Sequence, residues 1–430
     1  MMLLTGAVVH AQGIRFEQGL SWAQVKEKAR AEHKFIFVDC FATWCGPCKE
    51  MDEKVYPSDN VGAVMNDHFI AVKVQIDSTA HDNEQVKSWY GDAHRMMVQY
   101  KVTALPSFFF FSPDGEMVHR SLGFKEVKDF LALAVNAMDP AKQYYTLLGN
   151  YQQGRKDFAV MPYLARMAGA IDERALGDQI AADYISGYLD GLKDAAFFTK
   201  ENMSFIADFA GDLHSSDQSF KNIYAQRDRA DELLGQKWAD RLVAYIITKE
   251  EITPALWNGK VAIAEKPDWK RIRDGITAKY NKDYADRTVL DAQIGWYDGR
   301  KDWAMDVKYN VAKIDKYGVD TSGWGCFGVN NLVFNLIFQH SNDKVALNKA
   351  VKWMALVVST DTNSSTHIDT YANVLYKAGK VKEAISWEEK ATRLDAEAAL
   401  KQNRAPDKLY QETVDRMKKG LPTWGQQYNM

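Results

Sequence analysis

The sequence predicts an α/β domain at its N-terminal end and an all-α helical-repeat region over the rest of the chain. Two observations carry this. An apolar run, Phe35-Ile36-Phe37-Val38, leads into Trp44-Cys45-Gly46-Pro47-Cys48 and then a charged stretch, Lys49-Glu50-Met51-Asp52-Glu53-Lys54, which reads as strand, tight turn, helix. From Ala141 onward the patterning changes, and periodic helical runs with turn residues between them replace strands.

Composition sets the outer limits. A chain of 430 residues points to two or three domains, with ample length for a large core. Its 46% apolar and 26% charged residues are ordinary for a globular protein. The net charge of −3 gives no reason to expect nucleic acid or an anionic membrane surface as partner. Four cysteines are too few for a disulfide scaffold. No run approaches the ~18 apolar residues of a membrane span. Gly-rich phosphate loops, His-Glu-x-x-His and Gly-x-Ser-x-Gly are all missing from the sequence, so it implies no cofactor and gives no support to hydrolase, kinase or dinucleotide chemistry.

Residues 1–12 read as a truncated signal peptide. Leu3-Leu4-Thr5-Gly6-Ala7-Val8-Val9 is a short apolar run, and Val9-His10-Ala11 is similar to a small-residue cleavage site, although a basic n-region is missing. Export to a periplasmic or extracellular compartment is expected; without a functional signal the chain would be cytoplasmic. Next, Ile14-Arg15-Phe16 reads as a first short strand. Ser21 is placed to cap a helix over 22–33. A buried strand is expected at 35–41 and a helix at 47–56, stopped by Pro57. Asn66-Asp67-His68 reads as a turn before a strand at 69–76. A loop at 78–83 and a short helix at 84–90 follow, in a segment, 78–97, whose Trp89, Tyr90, Met96 and Met97 suit packing or partner choice. Asp114-Gly115 marks a hairpin. A helix over 124–137 closes the domain, and Asp139-Pro140 is its boundary.

The chemistry centres on Cys45 and Cys48. A cysteine at a helix N-terminus is favoured as thiolate by unpaired N–H groups and the helix dipole. The thiolate is the species that attacks a disulfide, and a second cysteine one turn on can resolve the mixed disulfide. Pro47 is tolerated because the first helical turn needs no N–H from it. Two other readings stay open on spacing alone. A zinc site would need two more ligands, and Cys40 and Cys326 have no close cysteine partner. A purely structural disulfide would close a very short loop. Along the strand, Asp39 shares a side with Phe37 and Phe41, while Cys40 points to the other. An acid inside an apolar strand is costly without a purpose. Cys40 itself reads as a small buried hydrophobe.

The stretch 37–49, containing WCGPC, resembles the active-site strand and turn of the thioredoxin superfamily. Val102-Thr103-Ala104-Leu105-Pro106-Ser107, followed by four phenylalanines, resembles that family's cis-proline loop and next strand. Val55-Tyr56-Pro57-Ser58 and Val61 are closer to the thioredoxin-like domain of the membrane-spanning disulfide reductant transporters. The resemblance covers about residues 13–138. It implies a thioredoxin fold, a central mixed sheet flanked by helices, and thiol–disulfide oxidoreductase activity through Cys45 and Cys48, in the reducing direction given Gly46 and Pro47. It implies that Asp39 lies behind the cysteines and exchanges the proton of Cys48. Lys73 matches a lysine beside that acid. Trp44, Gly46, Pro47, Leu105 and a cis Pro106 would form the substrate side, where backbone is free to pair with an extended segment. The implied partners are protein disulfides and an upstream protein electron donor.

The region 139–430 contains three look-alike stretches, around Gly154, Gly299 and Gly379. Each reads as a helix end, a glycine C-cap and a new helix. The third, at 366–391, resembles a tetratricopeptide unit, with Ala372, Gly379, Ala384 and Ala391 at small-residue positions. It departs from that pattern at Glu388, where an aromatic is expected, Trp387 lying one position early. Pro267 and the charged run after it suggest a division into two halves. The segment 321–328 reads as a Gly- and aromatic-rich turn in which Cys326 is packed. Two functional classes fit: a disulfide oxidoreductase whose helical part recruits a protein partner, and a helical-repeat adaptor or chaperone-like protein using the redox-type fold for peptide recognition. An intact cysteine pair favours the first.

Overall fold

The computed structural model describes residues 13–425. The leader expected at 1–12 lies outside them. The chain divides into two compact units, 1–240 and 241–430.

The first unit is built on a four-stranded mixed sheet of order β2-β1-β3-β4. Strand β1 (Phe35–Phe41) runs parallel to β2 (Phe69–Gln75) and antiparallel to β3 (Ser107–Phe111), which pairs in turn with β4 (Met117–Leu122) across the Asp114-Gly115 turn. The expected strand at 14–16 reduces to one parallel bridge, Phe16 to Ala71. Side chains alternate along each strand, so the sheet has two apolar faces. On one, Phe37, Phe69, Phe108 and Phe110 pack with Val61, Met65 and Phe130. On the other, Ile36, Val38, Cys40, Phe109 and Phe111 pack with Val25, Ala29, Trp89 and Met96.

Helices cover both faces. α1 (Trp22–Glu32) opens on a capping box in which Ser21 and Gln24 satisfy each other's backbone N–H groups. α2 (Gly46–Glu50) continues into a π-helical turn over Met51–Val55. α3 (Asp59–His68) runs directly into β2, so Asn66-Asp67-His68 is the last turn of a helix and not a loop. Asn66 stays helical because its side chain is used, accepting from Arg15 N–H and donating to the Gly13 carbonyl. α4 (Glu84–Gln99) is far longer than the expected 84–90. Trp89, Ala93 and Met96 form its buried stripe, which holds it on the sheet through the whole segment. α5 (Val127–Met138) closes the sheet's first face.

The helices beyond residue 139 do not begin as a free appendage. α6 (Tyr144–Gln152) packs on β4, and its first N–H, from Tyr144, donates to His119 Nδ1 at 3.0 Å. The Tyr144 hydroxyl donates to Glu173 at 2.6 Å, and Arg120, buried, lies 3.8 Å from the same carboxylate and over the Phe109 ring. α7 (Met161–Ala170) and α8 (Arg174–Gly187) then form a tight antiparallel pair. A Cβ at Gly177 would come within 2.8 Å of the Ala165 carbonyl, so the approach of these two helices requires glycine there.

The second unit is helical apart from one short hairpin, Trp257–Asn258 with Val261–Ala262. The helices Ser365–Lys377 and Val381–Lys401 form an antiparallel pair, with Ala372, Ala384 and Ala391 fully buried. Gly154 and Gly379 take the left-handed conformation that a glycine helix stop supplies (φ +80° and +86°). Gly299 does not: its φ is −61°, and Lys301 is the left-handed residue of that turn. The segment 321–328 is not a turn either, but the start of the helix Gly323–Asn331. Gly325 is there for clearance, since a Cβ would sit 2.2 Å from the Asp320 carboxyl carbon. Glu388 is fully buried against Asp369, and burial together with the facing acid drives its carboxyl well up. A carboxyl pair sharing a proton thus occupies the position where an aromatic was expected, and Trp387 packs edge-on against Tyr371 instead.

His119 makes the joint between β4 and α6 sensitive to acid. Its Nδ1 accepts a hydrogen bond, so the ring is neutral, and burial lowers its pKa to about 4. The unfolded chain therefore binds this proton first. The stabilisation is complete above about pH 6.5 and is lost as pH falls towards 4, worth roughly 3 kcal/mol in full. Thermal unfolding of wild type and His119→Gln between pH 7 and pH 4 should show the shallower pH slope in the variant. Parallel slopes would remove His119 from the account.

Candidate active site

β1 and α2 place the cysteine pair. β1 ends at Phe41, a three-residue turn follows, and Cys45 is the N-cap of α2. Cys45 and Cys48 are joined as a disulfide, and Cys45 Sγ accepts the Cys48 N–H at 3.2 Å. Both sulfur residues are nearly covered, yet the adjoining Trp44 is 71% exposed. Leu105, Ile76 and Phe41 pack around Ala42, Cys45 and Cys48. The Leu105–Pro106 bond is cis, as expected, and the Pro106 carbonyl accepts from Gly123 N–H. Nothing lies within 4 Å of the point where a Cβ at Gly46 would stand, so the surface beside the pair is open.

A second cluster lies under the same strand. Asp39 is fully buried and pairs in register with Lys73 of β2. Neither of its oxygens has a hydrogen-bond partner, and Lys73 Nζ stands 3.8 Å from Oδ2. Lys73 is drawn aside by an ion pair with Asp52, from the π-helical turn, and lies over the Phe41 ring. Burial raises the Asp39 carboxyl to about 7, and Lys73, then Tyr56, only partly oppose this. A cavity of about 330 Å³ lined by Lys73, Asp52, Phe41 and Gln75 opens beside the cluster.

A model of the thioredoxin-like domain matches residues 22–137. The chain is 30% identical over 128 residues to a thiol:disulfide interchange protein DsbD from Colwellia psychrerythraea, covering 29% of this chain and 19% of that one. It is 33% identical over 122 residues to thioredoxin-2 of Pyricularia oryzae, covering 28% and 59%. To the thioredoxin of Chlamydia trachomatis it is 32% identical over 98 residues, 23% of this chain but 78% of that protein. The chain belongs to the thioredoxin-like family. That family is one of disulfide oxidoreductases, and the likeness spans only a fifth to three fifths of the first two relatives.

Within this thioredoxin-like domain the sequence-predicted residues fall into two groups. Cys45, Cys48, Trp44, Gly46, Pro47, Leu105 and Pro106 gather at the end of β1. Asp39 and Lys73 pair beneath, with no hydrogen bond from Asp39 to either sulfur. Sequence reasoning passed over Asp52 and Tyr56, although they stand four and eight residues after Cys48, a helical spacing that puts all three on one side. It also passed over Asp77, whose carboxylate accepts the Thr43 N–H. Cys40 faces the opposite apolar layer, where burial pushes its thiol far up. Cys326 is likewise buried, close to the Thr321 carbonyl, with its thiol raised by burial.

Asp39 gives this domain a pH dependence opposite to that of a salt-bridged acid. Its folded pKa of about 7 lies above the unfolded 3.8, so the folded state holds the proton. Its contribution is fully present below about pH 3.8 and is lost as pH rises through 7, a penalty of roughly 4 kcal/mol on the alkaline side. Asp39→Asn should therefore stabilise the protein at pH 8.5 and change little at pH 4. Equal denaturant midpoints for the two proteins at pH 8.5 would contradict the burial argument.

Proposed function

We propose that this protein is a thiol–disulfide oxidoreductase working as a disulfide reductase on protein substrates. The observation that carries this is Cys45 at a helix N-terminus, bridged to a deeper Cys48, beneath an exposed Trp44. In the reduced protein the Cys45 thiolate attacks one sulfur of a substrate disulfide. A Cys45–substrate bond forms, and the other substrate sulfur leaves as a thiolate and takes up a proton. Cys48 then loses its proton, attacks Cys45 Sγ and releases the second substrate thiol. Two electrons pass from the dithiol to the substrate, and the Cys45–Cys48 disulfide remains for an upstream protein donor to reduce. Asp39 takes the Cys48 proton across intervening water, since its pKa near 7 lets it both accept and return one. Lys73 and Asp52 tune that value, and Leu105 with Pro106 offers backbone to an extended substrate.

Residues 13–138 are the redox domain in this reading, and 139–430 are a tetratricopeptide-like region that recruits a protein partner. Helical arrays present extended surfaces and rarely carry chemistry of their own. We place the protein outside the cytoplasm, on the strength of the apolar run at 3–9 and the Val9-His10-Ala11 site. Among the described residues no helix is long and apolar enough to cross a membrane.

Insulin reduction in the presence of dithiothreitol should be accelerated by wild type and by neither cysteine variant. Cys48→Ser should accumulate mixed disulfides with partner proteins, and Cys45→Ser should accumulate none. Equilibration with defined thiol buffers should place the potential near the ~ −270 mV of thioredoxin. A value near ~ −120 mV would mean that the protein makes disulfides rather than reducing them.

A further inference from the structure

The turn carrying Trp44 and Cys45 hangs from a carboxylate at the far end of β2. Asp77 follows β2 directly, and its two oxygens accept the Thr43 N–H at 3.1 and 3.2 Å. The Thr43 hydroxyl donates to the same carboxylate. Thr43 is itself exposed, so no packing holds it. Apart from this clamp, the turn has the Cys45 N–H to Ala42 carbonyl bond at 3.1 Å.

Asp77 is in turn braced by the segment that follows it. The buried Gln75 side chain donates to the Asp77 carbonyl at 3.1 Å and to Asp82 Oδ1 at 3.0 Å. Asp82 also accepts the Thr79 N–H and hydroxyl and the Tyr90 hydroxyl, and these bonds hold its carboxyl well below the usual carboxylate range. Tyr90 stands on α4, next to the buried Trp89, whose indole N–H donates to the Leu20 carbonyl. A continuous chain of hydrogen bonds thus runs from the body of α4 through Asp82, Gln75 and Asp77 to the residue two before the attacking sulfur.

We propose that Asp77 is a positioning residue for Cys45, and that the 78–90 segment serves the redox site by holding Asp77 through Gln75, Asp82 and Tyr90. This rests on the reductase reading for its kinetic consequence but not for its geometry. Asp77 touches neither sulfur by hydrogen bond. It fixes the backbone entering Trp44 and so the direction in which Cys45 Sγ meets a substrate disulfide, where a small misplacement costs far more in rate than in folding.

The test uses the full chain and three kinds of variant. Asp77→Ala should lower kcat/KM for insulin reduction about 10-fold, with kcat bearing most of the loss. It should also speed exchange of the Thr43 amide hydrogen. Asp77→Asn keeps an acceptor for that N–H and should recover most of the rate with an unchanged pH profile. Asp82→Ala and Tyr90→Phe, remote from the sulfurs, should each lose about two- to threefold. An Asp77→Ala protein within twofold of wild type, with Thr43 exchange unaltered, overturns the proposal. So does an Asp77→Asn protein as slow as Asp77→Ala with a displaced pH profile, because charge rather than position would then be at work. If wild type itself fails to reduce insulin, the reductase reading falls. The clamp is then decided by Thr43 exchange and by the rate at which iodoacetamide alkylates Cys45 in the pre-reduced proteins. A faster exchange and altered alkylation in Asp77→Ala alone sustain it, and identical behaviour of all variants overturns it.

Discussion

Strand β1 lies between a parallel and an antiparallel neighbour, and its two-residue alternation decides what the site can be. Asp39 must then face the same apolar layer as Phe37, with no water and no hydrogen bond. A bare carboxylate there would cost several kcal/mol. The sheet brings Lys73 alongside it, but Asp52 holds the ammonium 3.8 Å short of full pairing. A closer Lys73 would keep Asp39 ionised, and a more distant one would keep it protonated well past neutrality. The carboxyl is left near 7 because three elements meet at that point, β1, β2 and the π-helical turn after α2.

Much of this was readable in one dimension. Strand, turn and helix around the cysteines follow from an apolar run, a Gly-Pro turn and a charged stretch. Alternation separated Asp39 from Cys40, which do lie in different layers. What escaped depended on contacts between residues distant in sequence. Asn66 reads as a turn former until its side chain finds Gly13 and Arg15. α4 reads as seven residues because its second half carries polar side chains between Trp89, Ala93 and Met96, and only the sheet beneath makes these three a stripe. Asp77 reads as a loop acid because Thr43 is 34 positions away.

The helical part was legible in kind and less so in detail. Glycine predicted helix ends correctly at Gly154 and Gly379, where a left-handed residue is needed. At Gly299 it did not, because the turn passes that requirement on to Lys301. Gly325 serves clearance against Asp320 within a helix, a use that sequence cannot distinguish from a turn. Glu388 was the sharpest departure from repeat chemistry, and its explanation, a second buried acid at Asp369, lies on the preceding helix.

Arg120 and His119 bear on how such a chain can be rearranged. A redox module meant for reuse presents polar, self-sufficient edges. Here the edge strand β4 has exchanged that independence for a neighbour: its guanidinium faces Glu173 and its imidazole receives the opening amide of α6. The domain cannot be lifted out as an interchangeable cassette without leaving a buried cation and an acceptor unmatched. Nor can α6–α8 be replaced by an unrelated array that lacks a tyrosine amide and a glutamate at those two places. Sheet and first helices are therefore constrained to change together, as a single heritable block, even though only one of them carries the sulfur chemistry.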